Sequence, residues 1–287
     1  MSTASLDPAR LARVPRRHLG RWLAAALILA LLALVVRAFA LGQINWAVVA
    51  RFITAQSILT GLAFTLVMTV LAMAVGIVSG VLFAVMKMSA NPVLRGVAEF
   101  YIWLFRGTPL LLQLLLWFNL ALVFPSIGIP GLVSWRTVDL MTPFVATLLA
   151  LGLNQGAYTA EVVRGGILAI DIGQTEAARA IGMTRLMLLR RIVLPQAMRV
   201  IIPPVGNEVV SMVKLTAMAS VIQYPDILRN AQTVYYANGL VIELLLVASV
   251  WYLAVVTLLS IGQIFLERHF SRGQKRRLVV QAEGAGA

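Results

Sequence analysis

From Phe52 to Met86 the chain carries no charged side chain, and most of its residues there are apolar. A membrane-spanning α-helix needs about 20 consecutive apolar residues, so this run is long enough to form one. Hydrophobic residues make up 60% of the 287-residue sequence, and the mean hydropathy is +0.90. A soluble domain of this length has too little interior to hide so much apolar surface. The sequence therefore predicts an all-α polytopic membrane protein.

Six membrane spans are predicted from apolar stretches of sufficient length. The fifth span is the least apolar, because it contains Glu208 and Lys214. The loop from Pro125 to Thr142 is rich in turn-forming residues, and the tail at 271–287 is expected to be disordered. The predicted spans are Trp22 to about Gly42, a helix inside Phe52–Met86, a helix between Arg106 and Arg136, about Leu140 to Gly165, about Val200 to Ile222, and Leu244 to Leu266.

The basic residues are divided unequally between the two sides of these spans, with eighteen on one side and four on the other. Cytoplasmic loops carry an excess of Lys and Arg, so both termini, including the basic arm at 1–21, are predicted to be cytoplasmic. This orientation accounts for the formal net charge of +13, and no nucleic-acid partner is predicted.

A signal peptide cleaved after Ala40 is an alternative for the N-terminus, although Arg37 beside that site argues against cleavage.

The segment from Glu176 to Pro195 is polar and basic, although strongly apolar segments flank it. Its first residues favour a helix, which Gly182 can end with a positive φ. Thr184 can cap a second helix over 185–191, and Pro195 is expected to prevent simple continuation of that helix. Two short helices joined by a bend at a membrane surface are suited to docking a soluble partner.

A second landmark is the string FRGTPLL at residues 105–111. Pro109 disfavours helical backbone at Thr108, which predicts a bend in the chain. The alternative is a simple helix start with the proline in its first turn. Arg106 at the membrane edge can extend to the interface or pair with an acid, for which Glu99 is a candidate.

These strings resemble segments of one known family. Glu176-Ala177-Ala178, three residues, Gly182, nine residues and an Ile-x-Leu-Pro ending at Pro195 resemble the EAA loop of bacterial ABC importer permeases. FRGTPLL is similar to a segment of the polar-amino-acid branch of that family, which includes histidine, arginine and glutamine importers. Further similarities to that branch are NQGAYTAE at 154–161, RGGI at 164–167, GQTEAA at 173–178, PQAMR at 195–199 and PPVGN at 203–207.

The resemblance covers about residues 57–270 and implies a type I ABC importer permease core of five transmembrane helices there, with one added N-terminal helix at 22–42. It implies a cytoplasmic coupling loop at 166–199 that docks on an ABC ATPase subunit dimer. It also implies a second permease chain, identical or closely homologous, an extracytoplasmic solute-binding protein, and a place in the bacterial inner membrane. The residues that it assigns to ATPase coupling are Gly173, Gln174, Glu176, Ala177, Ala178, Gly182 and Pro195.

Polar and ionisable side chains inside the spans are candidates for the solute pathway, because a charge in hydrocarbon is costly and usually faces water or a partner. Two other interpretations stay open, an ion pair of Glu161 with Arg164 and a role for Asn154 as a hydrogen-bonded link between helices. The candidates for the pathway are Asn154, Tyr158, Glu161, Glu208, Lys214 and Thr216.

An amino-acid solute offers one carboxylate and one ammonium group. Lys214 is expected to meet the carboxylate, and Glu208 or Glu161 the ammonium group. The chain departs from the branch at residues 214–218, which read KLTAM where relatives have Lys-Asp-Thr-Ser-Leu. Because Leu215 stands in place of the acid, neutral polar or acidic solutes are predicted to be favoured over arginine or lysine.

Several classes of function are disfavoured by what the sequence lacks. It has no cysteine, and its two histidines, His18 and His269, lie near the termini, which argues against a metal site and against a membrane-embedded hydrolase. No GxxxxGK[ST] phosphate loop occurs, so the chain is predicted to be no enzyme and to hold no cofactor. ATP and Mg²⁺ are expected on the partner ATPase.

An ion-coupled secondary transporter of small polar solutes is the alternative function. Such a transporter would have no partner for the two-helix loop to dock.

Overall fold

A computed structural model describes residues 19–129 and 133–271, which fall into two compact units divided after Trp46. The first unit consists mainly of α1 (Leu19–Leu41). Apolar side chains cover nearly every face of this helix and are exposed, as is typical of a helix surrounded by lipid. Most of the predicted basic arm and almost all of the predicted disordered tail lie outside the described residues.

The second unit is built from long helices whose ends are joined by short helices and one hairpin. A π-helical segment at Leu189–Val193 and 3₁₀ segments at Leu120–Leu122 and Thr216–Ile222 lie between the α-helices. The other elements are α2 (Trp46–Ile53), α3 (Gln56–Lys87), α4 (Pro92–Gly107), α5 (Leu110–Phe118), β1 (Ser126–Ile129), β2 (Val133–Arg136), α6 (Thr137–Leu140), α7 (Pro143–Leu168), α8 (Ile172–Ala180), α9 (Arg185–Leu188), α10 (Leu194–Leu215), α11 (Ile227–Asn238) and α12 (Val241–Ser271).

Four described helices are long and apolar enough to cross a bilayer, and the number is five if the bent pair of α4 and α5 counts as one span. The four are α1, α3, the helical run 185–222 and α12. With 26 residues α7 also has the length of a span, but it carries more polar side chains. Several of them, including Asn154, Gln155 and Thr159, are buried against other helices. α7 therefore forms the centre of the five-helix core and needs less apolar surface than its neighbours.

The predicted position of the third span is wrong. The chain forms α4 before Arg106 and α5 after Pro109, and these two helices are bent by 103°. Asn91 caps α4 by accepting a hydrogen bond from the Val93 amide at 2.9 Å. Thr108 is extended between the two helices, with φ −113° and ψ 144°, because the ring of a following proline disfavours helical backbone. The predicted bend is thus confirmed, and Arg106 lies beside it.

The loop predicted to be rich in turns contains an antiparallel hairpin. β1 pairs with β2 so that Ser126 lies opposite Arg136 and Ile129 opposite Val133. α6 follows directly, and the Thr142 side chain then caps α7 by accepting an amide hydrogen bond at 3.3 Å. The hairpin is a small departure from the predicted all-α class, which is otherwise confirmed for the core.

α3 and α7 pack closely because glycines lie at four places along their contact. Gly80 of α3 lies against the Thr159 side chain, and Gly156 of α7 lies against Ser79. The absence of a Cβ lets two helix backbones approach, as is common between membrane helices. This contact sets the register of α7 against α3. The glycines are Gly76 and Gly80 of α3 and Gly152 and Gly156 of α7.

Replacing Gly156 with leucine is expected to lower the unfolding midpoint of the detergent-solubilised protein by several degrees. A Cβ added at this position collides with the Ser79 side chain of α3, whose own Cβ lies 3.0 Å away, and such overpacking costs about 1–3 kcal/mol. Gly165→Leu on the same helix is the matched control, because nothing lies within 4 Å of a Cβ there. Scanning fluorimetry gives both midpoints, and equal values would contradict the close contact of α3 with α7.

Candidate solute cavity and coupling loop

A cavity of about 830 Å³ opens where the bend between α4 and α5 faces α7 and α10. Its volume lies in the range of pockets that bind small organic molecules. Residues at the bend form one wall, and residues of α7 and α10, most of them polar, form the others. The lining comprises residues 106–110 from the bend, Asn154, Gln155 and Tyr158 from α7, and Pro204, Asn207, Glu208, Ser211 and Leu215 from α10.

Two charged side chains of opposite sign line this cavity, Arg106 from the bend and Glu208 from α10. The guanidinium carbon of Arg106 lies 5.1 Å from the ring centroid of Tyr158, a distance typical of a cation–π contact. Glu99, one candidate partner of Arg106 from the sequence, pairs with Arg95 at 2.8 Å instead. Within the described part of the chain Arg106 makes no ion pair, so its charge faces the cavity without a protein counterion.

A short chain of hydrogen bonds from α7 holds the Glu208 carboxylate. The Thr159 hydroxyl donates to one carboxylate oxygen at 2.9 Å, and the Gln155 side-chain amide donates to the Thr159 hydroxyl at 3.1 Å. Thr159 is buried, and Glu208 is half-buried. α7 therefore fixes where α10 presents its negative charge.

Six side chains are predicted from the sequence to line the solute pathway, and the structure divides them equally. Asn154, Tyr158 and Glu208 lie in the cavity wall, whereas Lys214, Thr216 and Glu161 do not. Lys214 is exposed elsewhere on α10, because a spacing of six residues puts it on a different face from Glu208. Thr216 is fully buried, and its hydroxyl donates to the carbonyl three residues earlier at 2.8 Å.

Glu161 bridges two cations near the end of α7. One of its carboxylate oxygens accepts from the Lys87 ammonium group at 2.6 Å, and the other accepts from the Arg164 guanidinium at 2.7 Å. Because Lys87 ends α3, the bridge ties α3 to α7. The pairing with Arg164 is the one that the sequence analysis gives as the alternative to a role of Glu161 in the solute pathway. Its second cation lies 74 positions away in the chain, which helical spacing cannot reveal.

The sequence prediction of the pathway does not include Asn207 and Ser211, although both line the cavity. A signal for them is present, because Pro204, Asn207, Ser211 and Leu215 recur at intervals of three and four residues and so share one face of α10. Arg106 carries no comparable signal. Only the bend between α4 and α5 turns its side chain toward α7 and α10.

The predicted coupling loop forms two helices joined by a tight bend. The Gly182 amide donates to the Arg179 carbonyl at 2.9 Å, and the next amide donates to the Ala178 carbonyl at 3.1 Å, which is the Schellman ending of a helix. Gly182 has a φ of +80°, and residues with a side chain rarely adopt this conformation. Thr184 caps α9 by accepting an amide hydrogen bond. The predicted bend and cap are thus confirmed.

The second helix does not continue as a simple α-helix, as the sequence predicts, but Pro195 does not end the helical run either. α9 continues through the π-helical segment into α10, and Pro195 lies in the first turn of α10. A π turn forms hydrogen bonds to the fifth residue along the chain instead of the fourth, which lets the helix pass the missing proline amide. One helical run, 185–222, therefore connects the coupling loop to the cavity wall that carries Glu208.

The residues predicted for ATPase coupling differ in their exposure. Ala178 is 2% exposed and packs with Leu188 of α9 and with Val193 of the π-helical segment. This contact holds α8 against the helix that follows the bend. The other residues of the set leave an accessible surface around the bend. The exposed members are Gly173, Gln174, Glu176, Ala177, Gly182 and Pro195.

Residues 74–274 match the protein family described as "Binding-protein-dependent transport system inner membrane component". The chain belongs to this family. A curated relative is the arginine transport system permease protein ArgU of Corynebacterium glutamicum, which is 40% identical, with 98% of this chain and 92% of the relative covered. The L-cystine transport system permease protein TcyB of Bacillus subtilis is 36% identical, with 74% of this chain and 86% of the relative covered.

Solved structures of ABC transporters have a similar fold. A crystal structure of an amino acid ABC transporter with histidines is 37% identical at a TM-score of 0.66, with 74% of this chain and 94% of the other covered. The inward-facing MetNI methionine ABC transporter is 21% identical at a TM-score of 0.59, with 75% and 96% covered, and it supports the fold alone.

The predicted type I importer permease and its polar-amino-acid branch are confirmed by these similarities. Members of the binding-protein-dependent transport family are membrane components of importers and not enzymes, which disfavours both the hydrolase and the ion-coupled alternative. In the described part of the chain no three His, Asp or Glu side chains are grouped to hold a metal ion.

Proposed function

We propose that this permease subunit of an ATP-driven importer carries polar amino acids through the cavity at the bend between α4 and α5. One observation carries the proposal: Arg106 and Glu208 bring one positive and one negative side chain to the same cavity. An amino-acid headgroup has the complementary pair of charges, and charge-assisted hydrogen bonds are the strong ones. Arg106 thus takes the role predicted for Lys214 and binds the carboxylate, while Glu208 binds the ammonium group.

The side chain of the solute is expected to be neutral and polar. Glu208 is the only acid among the described residues of the cavity wall, and Leu215 of that wall stands where the branch carries an acid. A cationic side chain therefore meets no second carboxylate there. Because the relative ArgU is an arginine permease, arginine is the competing solute that a transport assay has to include.

Uptake into proteoliposomes tests this function. The vesicles contain the permease with its ATPase partner and receive the solute-binding protein from outside, with glutamine and arginine as probes. We expect glutamine uptake that requires ATP, persists without ion gradients and is inhibited weakly by arginine. Uptake that follows an ion gradient without ATP would overturn the importer mechanism. Selective uptake of arginine would overturn only the preference for a neutral side chain.

The proposed partner of the loop is an ABC ATPase dimer, which binds ATP and Mg²⁺ itself. The exposed surface of α8 and the bend at Gly182 support this docking site, because the helical run 185–222 leads from there to Glu208. Movement of the ATPase can therefore reach the cavity through one helix. A second permease chain, identical or closely homologous, and an extracytoplasmic solute-binding protein complete the proposed assembly.

The orientation proposed for the chain puts both termini and the coupling loop in the cytoplasm, because eighteen basic residues lie on that side against four on the other. Reporter fusions after Arg17 and after Arg272 are expected to be active in the cytoplasm. A fusion inserted after Ile129 is expected to report the outside. A C-terminal reporter found outside would contradict this orientation.

A further inference from the structure

The bend between α4 and α5 leaves backbone acceptors without their helical partners. In a continuous helix the Phe105 carbonyl accepts from the amide four residues later, but that residue is Pro109, which has no N–H. The Thr108 carbonyl likewise stands at the break between the two helices. A buried carbonyl without a hydrogen bond is costly, so a bend of this kind requires donors from elsewhere.

Two buried side-chain amides supply these donors. The Gln113 amide nitrogen lies 2.9 Å from the Phe105 carbonyl oxygen, 3.1 Å from the Thr108 carbonyl oxygen and 2.7 Å from the Thr108 hydroxyl. The Asn154 amide nitrogen of α7 lies 2.8 Å from the Phe105 carbonyl oxygen and 3.3 Å from the Gln113 side-chain oxygen. Gln113 is 6% exposed and Asn154 is 9% exposed. The broken ends of α4 and α5 are thus fastened to each other and to α7.

The anchored carbonyl belongs to the residue directly before Arg106. We propose that Gln113 is a positioning residue for solute binding, because it fixes the bend and thereby holds Arg106 in the cavity wall. This inference rests on the proposed function, in which Arg106 binds the solute carboxylate. Gln113 itself does not line the solute cavity, so it acts on the solute only through the bend.

A double-mutant cycle tests this role. Affinity is measured as the Kd of the purified permease–ATPase complex, without the binding protein, for whichever of glutamine and arginine the proteoliposomes transport. Gln113→Leu keeps the volume of the side chain but removes its donors, and we expect Kd to rise about tenfold. In the Arg106→Gln background the same change is expected to add little, because the positioned charge is already absent.

Two further variants make the result specific. Gln113→Asn keeps an amide but shortens its reach by one methylene, so an intermediate rise in Kd is expected even if Gln113→Leu fails to assemble. Asn119→Leu is the matched control, since the Asn119 amide is exposed and donates only to its own helix, to the Leu115 carbonyl at 2.8 Å. Its Kd should equal that of the unmodified complex.

The outcomes separate this inference from the function on which it rests. If Arg106→Gln weakens binding while both Gln113 variants bind normally, the positioning role is overturned and the proposed function stands. Effects of Gln113→Leu and Arg106→Gln that simply add would also overturn the positioning role. An Arg106→Gln complex that binds the solute normally would instead overturn the proposed function.

Discussion

Replacing Arg106 with glutamine is expected to raise the Kd of the purified complex for its solute by roughly tenfold to a hundredfold. Hydrogen bonds to charged groups contribute about 1.5–3 kcal/mol, and each 1.4 kcal/mol corresponds to about a tenfold change in affinity. No other cation belongs to the described cavity lining, so no neighbouring side chain can replace the lost charge. Isothermal titration with glutamine and with arginine measures the change.

Two comparisons make this prediction specific. Arg95→Gln is the matched control, because Arg95 lies on the same helix but pairs with Glu99 outside the cavity, and it should leave Kd unchanged. Lys214→Gln distinguishes the two candidate cations, since the sequence favours Lys214 and the cavity favours Arg106. A larger loss of affinity in Lys214→Gln than in Arg106→Gln would contradict the assignment of the carboxylate site.

Replacing Gly182 with valine is expected to reduce solute-stimulated ATPase activity several-fold while leaving membrane insertion intact. Gly182 has a φ of +80°, and nothing lies within 4 Å of a Cβ at this position. The expected loss of activity therefore comes from backbone strain of about 1–3 kcal/mol at the valine, and not from a steric clash. The strained chain is expected to rearrange the bend between α8 and α9 and so to displace the proposed docking surface.

Two control variants test whether backbone strain at residue 182 causes the loss of stimulated ATPase activity. Asparagine tolerates a positive φ better than other residues with side chains, so Gly182→Asn is expected to retain most of the stimulated activity. Gly239→Val introduces similar strain at φ +74°, at the end of α11 and also in open space, and should leave stimulation unaffected. If the complex that contains Gly182→Val shows normal stimulated ATPase activity and normal solute uptake, the loop does not depend on this bend for coupling.

Features that depend on neighbouring residues in the chain were predictable from the sequence. The helix predicted inside the uncharged run Phe52–Met86 corresponds to α3, because apolar residues of that number need a lipid environment or a core. The bend at Thr108 follows from steric conflict with the next proline ring. Gly182 and Thr184 end and begin helices because of their own backbone and side-chain chemistry.

Pro195 shows where local reasoning fails. A proline is expected to interrupt a helix, yet the chain passes through a π turn and continues as α10. The packing of Leu188 and Val193 against Ala178 holds this stretch in place, and the sequence pattern does not reveal that contact. Tertiary packing thus makes one long helix where local chemistry predicts two.

The sequence by itself determined the helical membrane class, the family, the bend between α4 and α5, and the bend in the coupling loop, since each depends on composition or on residues close together in the chain. Only the tertiary structure decided which polar side chains share the cavity. Arg106 and Glu208 come together because a 103° bend turns one toward the other's helix. Glu161 is directed elsewhere because Lys87, distant in the chain, lies 2.6 Å from its carboxylate. The direction of a side chain in a membrane core depends on which helix lies beside it, and that is a property of the packed fold.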